Sequence, residues 1–179
     1  ASTLEMREAM MPILESALTS GAEFARIAFQ EVINGEEKCS GPMTQKLGIG
    51  GLHESYAYLD EQLMGLLQDK EYIILTNLSR LSFFNIKKSP NGELICPSEV
   101  IVFALKHKSK FYGIFWVGYS QVKRASDEDE EFRFLRTLAS LAAVAAANTQ
   151  LFRNAEYGRQ RLEAILASNP EPVFVTDQE

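Results

Sequence analysis

Hydrophobic positions along the chain fall into runs of helical and of strand-like period. In residues 4–19, Leu4, Met10, Met11, Leu14 and Leu18 lie broadly on one side of a helix that Gly21 ends. Residues 24–33 predict a strand, closed by the turn dipeptide Asn34-Gly35. Residues 39–51, rich in Gly with one Ser and one Pro, predict a loop holding a short strand at 45–49. An amphipathic helix is expected over 54–68, with Tyr56, Leu59, Leu63, Leu66 and Leu67 on one face. A strand over 72–78 precedes an irregular stretch, 79–97, whose clearest turn is Ser89-Pro90-Asn91-Gly92. Two further strands, 99–106 and 111–120, flank a lysine turn. Both are apolar at nearly every position, from Val100 to Leu105 and from Tyr112 to Val117. Continuous apolar strands imply a sheet covered on both faces.

The last third predicts one long helix. Ser126 is placed to cap it, and the acidic run Asp127 to Glu131 suits the positive end of its dipole. No proline interrupts before Asn169-Pro170, and only Gly158 weakens the run. About forty residues at 1.5 Å each make a helix roughly 60 Å long, more than a compact domain of this size needs. Two stripes of alternating three- and four-residue steps run along it. One holds Leu138, Leu141, Ala145, Asn148, Phe152, Ala155, Arg159, Leu162 and Leu166; the other holds Leu141, Val144, Asn148, Leu151, Ala155, Gly158, Leu162 and Ile165. These are heptad steps. One stripe can pack on the helix's own domain and the other on a partner, with Leu141, Asn148, Phe152 and Leu162 as the expected dimer seam. The element order fits a central, largely antiparallel sheet with helices on one face and loops on the other. The chain reads as a piece of a longer relay protein.

Composition narrows the function classes. A length of 179 residues with 46% hydrophobic and 23% charged residues suits one globular domain plus an appendage. The net charge of -6 argues against nucleic-acid binding through phosphate neutralisation. The one basic cluster, residues 106–110, reads as a solvated hairpin turn. Cys39 and Cys96 form no pairing pattern, which suggests a reducing, cytoplasmic location. The alanine-rich run 138–147 is too short to span a bilayer, so no direct membrane contact is expected. His53 and His107 stand alone, so neither a catalytic set nor a metal site is expected.

Residues 98–152 resemble the C-terminal half of a GAF domain. The likeness rests on the strand ending in Ala104-Leu105, the basic turn, Gly113-Ile114-Phe115-Trp116-Val117, the acidic run, Phe134 to Ala139, and the closing run Ala145 to Phe152. It extends more softly back to Gly21. Residues 161–177 resemble the opening of a PAS domain, with Leu162-Glu163-Ala164-Ile165-Leu166 leading through Asn169-Pro170 into Val173-Phe174-Val175-Thr176-Asp177. This order implies an α+β fold with a GAF-like antiparallel sheet, flanking helices and a long C-terminal signalling helix. The implied division is an N-terminal helix (1–20), a sensor domain (21–150), a coiled-coil linker helix (151–168) and the start of a PAS domain (169–179).

Relatives that carry a bilin attach it to a Cys followed by His; here Ser40 follows Cys39 and Pro97 follows Cys96, which argues against covalent attachment. Relatives that bind cyclic nucleotides carry an Asn-Lys pair where Gly118-Tyr119 stands, which argues against that ligand. A sulfoxide-reducing enzyme of the same fold needs a set of reactive cysteines, and two scattered ones do not supply it. No cofactor is therefore expected. Among the aromatic residues, Tyr56, Phe84, Phe103 and Trp116 are the expected lining of a pocket for an unidentified small molecule, apolar or aromatic in character. Each is also a sound core residue. The reading is a non-enzymatic sensory domain, a homodimer, with a PAS domain and an output domain downstream in a histidine kinase or cyclic-nucleotide enzyme. The alternative is a structural dimerisation module with no ligand.

Overall fold

The computed structural model describes residues 2–33, 36–46, 57–78, 97–122 and 129–168. The elements are α1 (Ser2–Thr19), β1 (Phe24–Ile33), β2 (Glu36–Lys46), α2 (Ala57–Leu66), β3 (Tyr72–Thr76), β4 (Glu99–His107), β5 (Lys110–Tyr119) and α3 (Glu130–Ser168). The five described strands form one sheet in the order β2-β1-β5-β4-β3, and every neighbouring pair is antiparallel. The α+β architecture with a long C-terminal helix is the one expected.

Alternation along the strands builds two cores. Ala25, Ile27 and Phe29 of β1, Ile101, Phe103 and Leu105 of β4, and Phe115, Val117 and Tyr119 of β5 face α1 and α3. Phe24 and Ala28, Val100 and Val102, and Ile114 and Trp116 face α2. Described helices therefore lie on both faces of the sheet, not on one alone. This is why β4 and β5 lack polar alternation.

α1 uses its apolar side within the domain: Met10, Ile13, Leu14 and Ala17 are buried, while Glu8, Pro12, Glu15 and Thr19 are exposed. It ends in a glycine cap. Gly21 (φ 119°) donates its N–H to Leu18, and the next N–H, of Ala22, reaches back to Ala17. On α2, Leu59, Leu63, Met64 and Leu67 are buried, but Leu66 is 44% exposed, so Met64 takes the place expected for Leu66.

Of the segment 39–51, residues 39–46 are strand rather than loop, and 47–51 lie outside the described residues. β2 pairs with β1 from Phe24↔Lys46 to Ile33↔Glu36, with a register shift between Ile27 and Phe29. The shift falls where Gly41 and Pro42 stand, since Ile27 faces Met43 and Phe29 faces Ser40. A proline is tolerated there because β2 is an edge strand and the irregularity removes one ladder position.

The lysine turn is a two-residue hairpin loop, with Lys108 (φ 50°) and Ser109 (φ 65°) both left-handed and His107 paired to Lys110. Between β5 and β1 the backbones approach closely at Gly113, where a Cβ would lie 2.1 Å from the Ala28 carbonyl oxygen. The described cap of α3 is Asp129, whose Oδ1 accepts the Phe132 N–H at 2.6 Å. Ser126, the expected cap, lies outside the described residues, as do Asn34-Gly35, 79–96 and 169–179.

Candidate functional site

A charged cluster sits in the core beneath α2. Arg26 on β1 and Trp116 on β5 are direct cross-strand partners. Alternation turns both toward α2, and the Phe24 ring lies against Trp116 with centroids 4.8 Å apart. Asp60, in the first turn of α2, meets both. Arg26 Nε donates to Asp60 Oδ1 and Oδ2 at 3.0 Å each, Arg26 Nη2 donates to Oδ2 at 2.5 Å, and Trp116 Nε1 donates to Oδ1 at 3.1 Å. All three residues are fully buried.

The electrostatics oppose one another. Burial pushes the Asp60 carboxyl above its ordinary value, while the guanidinium and the indole N–H pull it back. The position in the first helical turn adds a favourable field for a carboxylate. A forked guanidinium–carboxylate contact satisfies most of the polar capacity that burial would otherwise strand. The cluster fastens α2 to two strands at once and provides the polar landmark of that face. It holds no nucleophile. Among the described residues no group of three or more His, Cys, Asp or Glu is placed to hold a metal.

Two of the four expected lining residues, Phe103 and Trp116, lie on opposite faces of the sheet. Trp116 lies on the α2 face. Phe103 lies on the opposite face, 6.0 Å from Phe115 and 5.4 Å from Phe132 of α3 between ring centroids. Its register explains this: Val102, not Phe103, is opposite Trp116, so Phe103 points the other way. Tyr56 and Phe84 lie outside the described residues, as do His53 and Cys96.

Arg26 and Asp60 were not among the expected site residues. A signal for each is present in the sequence. Arg26 is the one charge in the run Phe24 to Phe29, and Asp60 follows Leu59 and precedes Leu63 by three, on the apolar side of α2.

A second feature lies along α3. Its inner side, Leu135, Leu138, Ala139, Ala142, Ala143 and Ala146, is buried against the sheet and α1. The stripe Leu141, Val144, Asn148, Leu151, Ala155, Gly158, Leu162 and Ile165 is exposed at every position. The other expected stripe begins in the core, with Leu138 buried and Ala145 packed on it, and carries Arg159 paired to Glu156 and Glu163. Of the expected seam residues, Leu141, Asn148 and Leu162 thus lie on one outward line, and the side chain of Phe152 is outside the described set.

The start of α3 is tied to the domain. Tyr119 Oη donates to Glu131 Oε1 at 2.8 Å, the rings of Tyr72 and Phe132 sit 4.9 Å apart, and Arg136 forks onto Glu71 at 2.7 and 2.9 Å. No described helix is long and apolar enough to cross a membrane.

No family profile matches the chain, and no curated protein matches it. Solved structures do. A GAF domain/HD domain protein from Geobacter sulfurreducens aligns with a TM-score of 0.56 at 15% identity, over 82% of this chain and 95% of that one. A domain assigned to a two-component sensor histidine kinase of Sinorhizobium meliloti 1021 aligns with a TM-score of 0.54 at 19% identity, over 86% and 96%. A GAF domain of Synechocystis, solved in its photoproduct state, aligns with a TM-score of 0.56 at 10% identity, over 83% and 98%. Sequence identity this low speaks to fold alone, and on that ground the chain has the fold of a GAF domain.

Proposed function

We propose that this chain is the sensory input domain of a signal-transduction protein, with a histidine kinase as parent. It reads a small ligand or a partner on the α2 face and passes the change through a parallel dimer of α3. The observation that carries the reading is the division of α3 into a buried side and a fully exposed heptad line. A helix that packs only within its own domain has no use for Leu162, Ile165 and Leu166, which lie beyond the core and are exposed by 54–66%. A parallel dimer through both the N- and C-terminal helices is the expectation; in this reading α3 supplies the contact, since the described apolar side chains of α1 are used inside the domain.

The ligand side belongs to the α2 face. The cluster of Arg26, Asp60 and Trp116 ties α2 to β1 and β5, beside the apolar packing of Leu59, Leu63 and Met64, so a displacement of α2 would be felt by both strands. The ligand in this reading is a small apolar or aromatic molecule, since the buried cation on that face, Arg26, is already neutralised by Asp60. The complete burial of Arg26, Asp60 and Trp116 favours a second reading, a dimerisation module that needs no ligand.

Native mass spectrometry of the purified chain tests both. A dimer carrying added mass supports the sensory reading. A dimer of bare polypeptide selects the second, and a monomer at high micromolar concentration contradicts both.

A further inference from the structure

We infer that Asn148 sets the alignment and the two-stranded state of the α3 dimer, by meeting the same residue of a second copy across the seam. The inference rests on the dimer reading above. In the exposed line, Leu141, Asn148, Ala155 and Leu162 recur every seven residues, and Val144, Leu151, Gly158 and Ile165 recur between them. Asn148 is the one polar side chain in that line. Apolar neighbours bracket it, one turn away on each side at Val144 and Leu151, and both are exposed. A solvated face would show polar residues in series rather than one amide inside an apolar run.

An amide at such a position discriminates between arrangements. In a parallel, in-register pair the two Asn148 side chains face each other, and each carbonyl can accept from the other NH2. A shift by one heptad sets each amide against Leu141 or Ala155 and leaves it buried without that partner. An antiparallel pair sets it against the alternate layer, Val144, Leu151 or Gly158, with the same loss. Burying an unpaired amide is costly, so one polar residue selects the register and the strand number at the expense of tighter association. The small pair Ala155 and Gly158 lies in the layers that follow, and a Cβ at Gly158 would meet nothing within 4 Å in the single chain.

The test is sedimentation equilibrium of the full chain beside Asn148→Leu, with Gln160→Leu as a control on the side away from the seam. The expected result is a wild-type dimer, a control with unchanged stoichiometry, and an Asn148→Leu variant that associates about tenfold or more tightly and populates trimers or larger species. Asn148 is exposed in the single chain, so the variant keeps the fold, which circular dichroism checks. A wild-type dimer with an Asn148→Leu variant of equal or weaker affinity and strictly two copies overturns the role of Asn148 and leaves the dimer standing. A wild-type monomer overturns the dimer itself, and the inference with it.

Discussion

Arg26 and Trp116 stand opposite each other on adjacent strands and donate to the same carboxylate, Asp60 of α2. Two strands and a helix thereby share one buried polar contact. Its energetics follow from burial. Removing Asp60 takes the buried counter-charge from Arg26 and the acceptor from Trp116, whereas replacing Arg26 and Asp60 together leaves a core that apolar side chains can largely fill. Asp60→Ala is expected to lose about 3–5 kcal/mol of unfolding free energy, and Arg26→Met with Asp60→Leu to recover most of it. Urea denaturation of the three chains decides the matter. A single variant as stable as the wild type contradicts the contact.

Trp116 is the chain's one tryptophan, so its emission reports on the α2 face alone. Trp116→Phe keeps an aromatic ring but loses the bond to the Asp60 carboxylate, at an expected cost of about 1.5–3 kcal/mol. Titrating the wild type with cyclic AMP or cyclic GMP is expected to give no saturable fluorescence change at micromolar concentration. That face offers no phosphate cradle among its described residues, and Arg26 is held by Asp60. Saturable micromolar binding of either nucleotide overturns the ligand class proposed here.

Gly113 is where β5 comes closest to β1. A Cβ there falls 2.1 Å from the Ala28 carbonyl oxygen and 2.9 Å from the Phe29 Cα, so backbone rather than a flexible side chain must move. Gly113→Ala is expected to destabilise by about 3 kcal/mol or more. Thermal unfolding followed by circular dichroism measures it, and an unchanged midpoint contradicts the close approach.

Gly158 presents the opposite case. It lies exposed within α3 with nothing near its Cβ. Because Gly158 also lies on the proposed seam, the effect is read in the monomeric Leu141→Glu, Leu162→Glu background, where Gly158→Ala is expected to stabilise the helix by about 0.5–1 kcal/mol. Slower amide hydrogen exchange around residue 158 is the readout, and faster exchange contradicts the helical conformation there.

Long periodic elements were legible in the sequence: β1, the β4–β5 pair, and α3 with its two stripes all stand close to where periodicity places them. The edge strand β2 was not, because Gly41 and Pro42 read as breakers until the register irregularity opposite β1 accommodates them. The faces of Phe103 and Trp116 were not legible for a different reason. A strand buried on both sides carries no polar alternation, and only the register Val102↔Trp116 shows that Phe103 turns toward α3. The Arg26–Asp60 pair escaped because its members are 34 positions apart, and neither isolated charge names its partner. The exposed line on α3 was legible because heptad spacing is a property of one helix alone.

Pairing of two copies through the outward seam of α3 is read most directly from the solution mass of the full chain across concentration, by light scattering. The wild-type chain is expected to be a dimer. With Leu141→Glu and Leu162→Glu together a monomer of unchanged helical content is expected, because an unpaired carboxylate at an apolar seam is costly to bury while both positions are exposed in the single chain. A wild-type chain that stays monomeric at high micromolar concentration, or a double variant that still dimerises as tightly as the wild type, contradicts that pairing.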